Sequence, residues 1–381
     1  MAHHARGQDD TIIVNTCAVT TTAERQARQA IRRAHRENPN AKIVVTGCAS
    51  DIAPGRWAEL PGVVRVVPNE DKLKPAIWGD ASAGLPPSRH ARALLQVQQG
   101  CDHRCTFCII PYGRGDSRST PVEDAIARAE ALVEAGHQEI VLTGVDIASW
   151  QGVEGKGLGA LCRELLRRVE GVQRLRLSSI DPVLLDATTG DADLWWLLEN
   201  EPRLMPHLHL SLQAGSDLIL KRMKRRHDTA GVAATLRRVR SIRPETGVGA
   251  DLIAGFPTET DALFEETRAF IEEQQIPFLH VFPYSERPGT PTARMPAVPN
   301  AERQKRAACL RDIGEANRDR FLQRLIGTEF DILAETPDRG HSPEFAAVRL
   351  AGTAPAPVRG SFVPVRATGL ENGTLLAEIR S

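Results

Sequence analysis

Short β-branched runs alternate with longer stretches of helical periodicity along most of the chain. Ile12-Ile13-Val14 leads into Asn15-Thr16-Cys17, a helical stretch covers about Thr20 to Arg36, and Lys42-Ile43-Val44-Val45-Thr46-Gly47-Cys48 follows as a second run. Strand, helix, strand in that order predicts parallel strands, whose ligands gather outside the carboxyl ends of the strands. Cys17 and Cys48 both fall at such ends, and Val63 to Val67 predicts a third strand. Composition then shifts. Gly79 to His90 is rich in Ala, Ser, Gly and Pro around Pro86-Pro87, which predicts a linker.

Beyond it six apolar runs recur: Ala93 to Val97, Glu139 to Val145, Arg174 to Ile180, His207 to Gln213, Val248 to Gly255 and Phe278 to Tyr284. Helical patterns separate them at Val122 to Ala135, Leu158 to Val169, Asp193 to Asn200, Asp217 to Ile242 and Thr260 to Glu273. Six βα units fall two short of a closed eight-stranded barrel, so an open, partial (β/α)6 barrel is expected, with its chemistry on the loops after the strands.

A helix rich in arginine, from Ala301 to Leu325, leads out of this region; its face is open to two readings, solvated or nucleic-acid-binding. Strand-like runs at Glu329 to Ala334, Phe345 to Leu350, Phe362 to Ala367 and Leu375 to Ile379 then predict a small antiparallel β-barrel. The predicted organisation is an α/β chain. It has a small parallel-sheet domain over 1–78, a linker over 79–92, a partial barrel over 93–298, a basic linker helix over 299–325 and a small barrel over 326–381.

Charge changes this picture little. Lys plus Arg and Asp plus Glu each number 48 in 381 residues, so a polyanion would have to meet local basic patches such as Arg25 to Arg36 or Lys221 to Arg226. No apolar run approaches the roughly 18 residues of a membrane span, and residues 1–10 lack the apolar core of a signal peptide. A cytoplasmic protein, without a membrane partner, is expected. There thiols stay reduced, and clustered cysteines read as ligands before disulfides. Cys162 and Cys309, isolated in helical patterns, are expected to be buried thiols.

Cysteine is clustered in Gly100-Cys101-Asp102-His103-Arg104-Cys105-Thr106-Phe107-Cys108, which holds three of the seven cysteines within eight residues. Iron–sulfur clusters are held by Cys thiolates, and three ligands to a four-iron cubane leave one iron open. Zinc completed by His103 is the competing reading, and the closeness of His103 to its neighbours speaks against a closed tetrahedron. Polar groups follow the later runs: Thr143-Gly144, Ser178-Ser179-Ile180-Asp181-Pro182, Ser211-Leu212-Gln213 and Asp251, with Arg225 in the helical stretch beyond the fourth run.

The C-x3-C-x2-C spacing, with Phe107 before the last cysteine and after the first strand of a partial barrel, resembles the signature of radical S-adenosylmethionine enzymes. The resemblance implies a [4Fe–4S] cluster on Cys101, Cys105 and Cys108 whose open iron chelates S-adenosylmethionine for radical generation. It also implies cofactor contacts from Phe107, Gly144, Asp181, Gln213, Arg225 and Asp251. Further motifs narrow it. They are Asn15-Thr16-Cys17, Thr46-Gly47-Cys48, Pro111-Tyr112-Gly113-Arg114-Gly115, Ser211 through Asp217, Gly255-Phe256-Pro257-Thr258-Glu259-Thr260 and Phe282-Pro283-Tyr284-Ser285. Together they resemble the methylthiotransferase family, and Asn15 through Thr20 and Cys101-Asp102-His103-Arg104-Cys105, with Tyr112-Gly113-Arg114-Gly115 followed by Ser117-Arg118-Ser119, are most similar to its threonylcarbamoyladenosine tRNA branch. That family implies a second, auxiliary [4Fe–4S] cluster on the amino-terminal domain, here on Cys17 and Cys48, and a terminal TRAM barrel that binds RNA. The substrate it implies is adenosine 37 in the anticodon loop of tRNA, modified at C2. The isopentenyladenosine branch and the branch acting on a ribosomal-protein aspartate are the alternatives. An electron donor such as a flavodoxin or ferredoxin, and a monomeric state, complete the expectation.

One departure stands out. The family presents three cysteines to the auxiliary cluster, and only ten residues, none of them cysteine, precede Thr11. The expectation is an amino-terminally truncated sheet with a strand left unpaired, an auxiliary cluster short of a ligand, and, as a function of another class, an RNA-binding iron–sulfur protein without sulfur transfer.

Overall fold

Thr20 opens the first helix because its Oγ1 accepts the N–H of Ala23 at 3.1 Å, supplying one of the acceptors that a helix start lacks. The helix, α1 (Thr21–Glu37), has Glu24 in its first turn and His35 and Arg36 in its last, both favourable to the helix dipole. It turns Ala27, Ile31 and Ala34, one stripe at helical spacing, onto the sheet beneath.

The computed structural model describes residues 2–4, 11–72, 74, 77–78, 90–152, 155–351 and 356–380. Of the predicted linker, residues 79–89 lie outside these. The chain forms two compact units: 1–86 with 100–117 and 285–295, and 87–99 with 118–284 and 296–381.

In the first unit β1 (Ala2–His4), β2 (Thr11–Thr16), β3 (Lys42–Gly47) and β4 (Val63–Val67) form one sheet in that order. β2, β3 and β4 are parallel as predicted. β1 corrects the expectation of an unpaired neighbour, since Ala2, His3 and His4 pair antiparallel with Val14, Ile13 and Ile12 and cover the edge of β2. Short helices α2 (Cys48–Ile52) and α3 (Pro54–Ala58) follow β3, and Trp57 of α3 is buried with its Nε1 donating to Ala49 O at 3.0 Å. The core of Ile12, Val14, Ile31, Ile43, Val45 and Trp57 also takes in Ile109, from the loop that bears the clustered cysteines. Burying Ile109 contributes about 1.5–3 kcal/mol, so the loop is packed and not merely tethered. It continues into α4 (Ile110–Arg114), which lies on α2.

The second unit begins with β5 (Ala93–Gln96) and the two-residue strands β6 (Gln98–Gln99) and β7 (Arg118–Ser119), which pair antiparallel. Next come α5 (Val122–Glu134), β8 (Glu139–Thr143), α6 (Leu158–Arg168), β9 (Arg174–Leu177), β10 (Ser179–Ile180) and α7 (Ala192–Asn200). β11 (His207–Gln213), α8 (Asp217–Arg222), α9 (Thr229–Ile242), β12 (Gly247–Ala254), α10 (Asp261–Gln274) and β13 (Phe278–Pro283) complete the partial barrel. Pairing is parallel throughout, in the orders β5-β8-β9 and β10-β11-β12-β13. The third predicted run is therefore one strand interrupted at Ser178, as the six-unit reading requires. Alternate residues Leu208, Leu210 and Leu212 or Val248, Ala250 and Leu252 point to the helices and are buried, which leaves the intervening polar positions for the inner face.

Helix α11 (Asn300–Gln323) buries Arg306, Ala307, Leu310, Gly314, Asn317 and Phe321, a stripe of helical period laid on β12 and β13. Beyond it β14 (Glu329–Thr336), β15 (Arg339–His341), β16 (Ala347–Ala351), β17 (Phe362–Glu371) and β18 (Thr374–Ile379) close a barrel in the order β14-β15-β16-β18-β17. It departs from the antiparallel expectation at one seam, where β16 and β18 run parallel. A ring of five strands cannot alternate direction all the way round, so one parallel pair is forced. Phe345, predicted as a strand residue, lies before β16 in a turn with φ 70°.

At the amino-terminal ends of the partial-barrel strands, Glu139 gathers Arg176 Nε at 2.8 Å, Arg92 Nε at 3.0 Å and Arg174 Nη1 at 3.6 Å. The same arginines donate to the closed barrel: Arg174 to Asp331 O at 2.6 Å, and Arg176 to Pro343 O at 2.7 Å and Ser342 O at 2.9 Å. Phe345 fits among them, with the Arg92 and Arg176 guanidiniums each 5.0 Å from its ring centre and His341 stacked at 4.7 Å. The closed barrel is thus bolted to the end of the sheet away from the strand carboxyl termini.

Candidate active site

The cysteine loop is shaped by its own ends. Gly100 has φ 74°, and a Cβ there would stand 1.8 Å from Asp116 O, so only glycine lets the two strands of the loop close. Cys101 N–H donates to Gly115 O at 3.0 Å, Ser117 N–H to Asp102 Oδ1 at 2.9 Å and Arg104 Nη1 to Cys101 O at 3.0 Å. Thr292 holds the far side through its N–H and Oγ1, each 3.1 Å from Thr106 O. Cys101, Cys105 and Cys108 are half-buried and form no disulfide, and Cys108 N–H donates to Cys105 O at 3.1 Å. Three half-exposed thiols on a loop fixed by backbone bonds suit three thiolate ligands to an iron–sulfur cluster. Phe107 is half-buried between the last two of them in sequence.

Cys17 and Cys48 belong to the same unit. Cys48 is buried at 5% exposure, whereas Cys17 is exposed. Arg114 Nε lies 2.8 Å from Cys48 Sγ, and Asn69 Nδ2 donates to Gly113 O at 2.5 Å and to Asp51 Oδ2 at 3.3 Å. Burial lowers the pKa of nearby Lys72, with the Arg114 charge adding to the effect and Cys48 and Asp51 opposing it. Cys162 is wholly buried, and burial pushes the pKa of its thiol far above the usual thiol value. Cys309 is half-exposed, which corrects the expectation of burial.

The second unit places the other predicted residues along the inner face of its sheet or just after it. Gly144 follows β8, and a Cβ there would stand 2.7 Å from Ile147 Cγ2 and 2.9 Å from Gln98 O. Glycine is therefore required by packing within the protein itself. Gln98, which sequence reasoning missed, is buried and its Oε1 accepts Val145 N–H at 3.0 Å and Asp146 N–H at 2.8 Å, shaping the loop after β8. Asp181 caps the turn after β10 through Val183 N–H at 3.1 Å and binds Arg225 Nη2 at 2.9 Å and Arg226 Nη2 at 3.4 Å. Burial alone would raise the Asp181 pKa, but the His227 ring 3.8 Å away and the Arg225 charge hold it well below the usual carboxylate range. Arg225 also donates to Ser211 O at 2.8 Å. Two of the predicted residues thus orient each other. Gln213 ends β11 with φ 73°, a strained backbone of the kind that gathers where ligands bind.

Asp251 stands at the centre of a polar row that periodicity could have revealed. Its Oδ1 lies 3.0 Å from His209 Nε2 and 3.4 Å from His280 Nδ1, and its Oδ2 accepts Ser179 Oγ at 3.2 Å, with Ser211 Oγ 2.8 Å from Ser179 Oγ. Gly249 makes room, since a Cβ there would lie 2.3 Å from His209 Nδ1. Burial would raise the Asp251 pKa, but hydrogen bonds from His209 and His280 hold it far below the usual range, and its carboxylate in turn raises His280. His209 and His280 were not singled out from sequence; the signal was the alternation His207, His209, Ser211, Gln213 along an otherwise apolar strand.

The Gly255–Thr260 loop is tied down by Glu259, whose Oε2 accepts Gly255 N–H and Arg306 Nη1, each at 2.9 Å. Arg306, Arg303 and Arg311 of α11 are likewise spent on protein acceptors: Glu259 and Asp261, Val298 O and Tyr284 O, and Val281 O. Among the described residues no helix is long and apolar enough to cross a membrane.

The Radical SAM superfamily profile matches residues 95–271, and that of Uncharacterized protein family UPF0004 matches residues 2–68. The chain is 44% identical over 364 residues, 90% of its length and 85% of the relative's, to threonylcarbamoyladenosine tRNA methylthiotransferase MtaB of Rickettsia prowazekii. It is 33% identical to tRNA-2-methylthio-N(6)-dimethylallyladenosine synthase of Cereibacter sphaeroides, covering 97% of this chain and 89% of that one. Among solved structures, the radical S-adenosylmethionine methyltransferase TsrM of Kitasatospora setae, with cobalamin and a [4Fe–4S] cluster bound, shares the fold. Its TM-score is 0.56 at 15% identity, over 74% of this chain and 65% of that one.

Proposed function

The chain belongs to the radical S-adenosylmethionine methylthiotransferase family, and from that premise we propose that it adds a methylthio group to C2 of N6-threonylcarbamoyladenosine at position 37 of tRNA. The observation that carries this reading is the 44% identity, across 90% of the chain, to a relative named for that reaction. The inner face adds support. A threonylcarbamoyl group bears a carboxylate and a hydroxyl, and His209, His280, Ser179 and Ser211, arranged around the Asp251 carboxylate, offer donors to such a substituent, where a dimethylallyl group would want apolar walls.

A C2–H bond of adenine is neither acidic nor electrophilic enough for acid–base or nucleophilic catalysis, and a radical route is left to the cofactors. Bound at Cys101, Cys105 and Cys108, a [4Fe–4S] cluster supplies the electron with which S-adenosylmethionine yields the radical. The chain's own groups bind and orient. Arg225, fixed by Asp181, and Gln213 at the end of β11 offer polar contacts to the nucleoside and amino-acid parts of S-adenosylmethionine. Phe107, Gly144 and Asp251 complete the proposed set. Cys17 and Cys48 are proposed ligands of an auxiliary cluster. For RNA, the α1 face with Gln29, Arg32, Arg33 and Arg36 offers cations that no carboxylate pairs with among the described residues.

The test is anaerobic incubation with tRNA lacking the methylthio group, followed by mass spectrometry of the nucleosides. Methylthio-threonylcarbamoyladenosine is the expected product. The dimethylallyl derivative would favour the reading suggested by the Cereibacter relative, and cleavage of S-adenosylmethionine without either product would leave an RNA-binding iron–sulfur protein.

A further inference from the structure

Three arginines converge on a cavity of about 170 Å³ that no carboxylate lines. Arg240 comes from α9, Arg320 and Arg324 from the end of α11, and Thr246 from just before β12. Each guanidinium has one neutral hydrogen-bond acceptor: Arg240 the carbonyl of Gln274, Arg320 the Oδ1 of Asn317 at 3.0 Å and Arg324 the carbonyl of Pro244 at 3.0 Å, Arg324 lying also 5.6 Å from the Phe321 ring centre. Asn317 is itself fixed, its Nδ2 donating to Ile271 O and Ile276 O, both at 3.3 Å, so that Arg320 is aimed and not floppy. None of the three arginines has an ionic partner among the described residues.

A guanidinium cannot shed its proton to relieve crowding, and burial together with the Arg324 charge already disfavours the charged form of Arg240. Folding has therefore brought three like charges to one cavity, with Arg240 half-buried and Arg320 and Arg324 reaching solvent. Independently, Thr246 is 5% exposed and its Oγ1 has no hydrogen-bond partner. A buried hydroxyl without a partner is uncommon in folded proteins and calls for an explanation.

We propose that this cavity binds a phosphate group, held by the forks of Arg240, Arg320 and Arg324 and by the Thr246 hydroxyl. Tetrahedral oxyanions accept from several directions at once, which three guanidiniums and a hydroxyl supply. The site lies at the amino-terminal ends of β12 and β13, eight residues of β12 away from its carboxyl end, so its occupant anchors and does not react. The phosphate comes from an RNA backbone or from a small phosphate ester.

The test is calorimetric titration of the cluster-loaded protein with inorganic phosphate, beside Arg240→Gln and Thr246→Val. Loss of at least about tenfold in phosphate affinity in both variants is expected, with S-adenosylmethionine cleavage unchanged as the check on folding. Thr246→Val is informative because replacing an idle buried hydroxyl by a methyl is neutral or stabilising, whereas replacing a ligand weakens binding. Binding of tRNA is then followed against salt concentration. An RNA source predicts that Arg240→Gln weakens tRNA binding and reduces the slope of log K against log salt by about one; a small ester predicts no change in the slope. The RNA arm rests on the proposed tRNA substrate and the phosphate arm does not, so the two can fail separately. Phosphate heats equal in all three proteins, together with an unaltered tRNA slope, would overturn the proposal.

Discussion

Arg114 Nε and Cys48 Sγ are 2.8 Å apart, which joins the helix after the clustered cysteines to a cysteine at the end of β3. The contact is close on both sides, because a Cβ on Gly113 would lie 2.9 Å from Cys48 O. Replacing Gly113 by Ala should therefore destabilise the protein by about 1–3 kcal/mol, the usual cost of overpacking, as read from chemical denaturation.

The roles of the two cysteine sets separate in a second experiment. Cys105→Ala is expected to abolish release of 5′-deoxyadenosine, while Cys48→Ala lowers iron and sulfide per chain and the yield of methylthio nucleoside but spares that release. Unchanged iron content in Cys48→Ala would remove Cys48 from the proposed auxiliary site.

Glu139 carries the junction between partial and closed barrels. It is fully buried, and although burial would raise its pKa, Arg176, Arg92 and Arg174 hold it below the usual carboxylate value. Glu139→Gln leaves three guanidiniums around a neutral group and should cost about 3–5 kcal/mol, as breaking buried pairs does. A depressed folded pKa gives stability that is present above the unfolded value and lost as the pH falls through the folded one. The acid limb of a stability profile should thus flatten in the variant.

The row around Asp251 predicts the opposite limb. His280 has its pKa raised by the Asp251 hydrogen bond, with burial opposing, so its pairing stabilises fully below the ordinary histidine value and fades as the pH rises through the higher folded value. Asp251, held low by His209 and His280, contributes above the ordinary carboxylate value and loses its contribution on acidification. His280→Gln should level the profile from about pH 6 upward, measured by thermal melts in a series of buffers. A slope that survives the substitution would exclude His280 as its source.

The strands were legible in the sequence because each is a short apolar run with period two or full burial, and five of the six barrel runs start on the first residue of the observed strand, while the sixth, at Val248, starts one residue late. His207 to Gln213 matched at both ends. What escaped was set by long-range partners. Ala2–His4 pairs only because Ile12 to Val14 presents an edge, Gln98 is buried only because Val145 and Asp146 turn their N–H groups to it, and Phe345 leaves the strand because Arg92 and Arg176 surround its ring. Asp181 and Arg225 were visible as polar residues, but their mutual pairing was not, since 44 residues separate them. The cysteine spacing was the strongest local signal, being a property of one loop.

Ile109 shares its core with Ile12, Val14 and Ile43, and residues 100–117 form one compact unit with the first 86 residues. A cut at the sequence boundary near residue 92 would consequently yield a fragment with all three clustered thiols but without the scaffold that their loop folds upon. Excision of the amino-terminal segment is therefore expected to cost the radical chemistry as well, through the loss of that shared core.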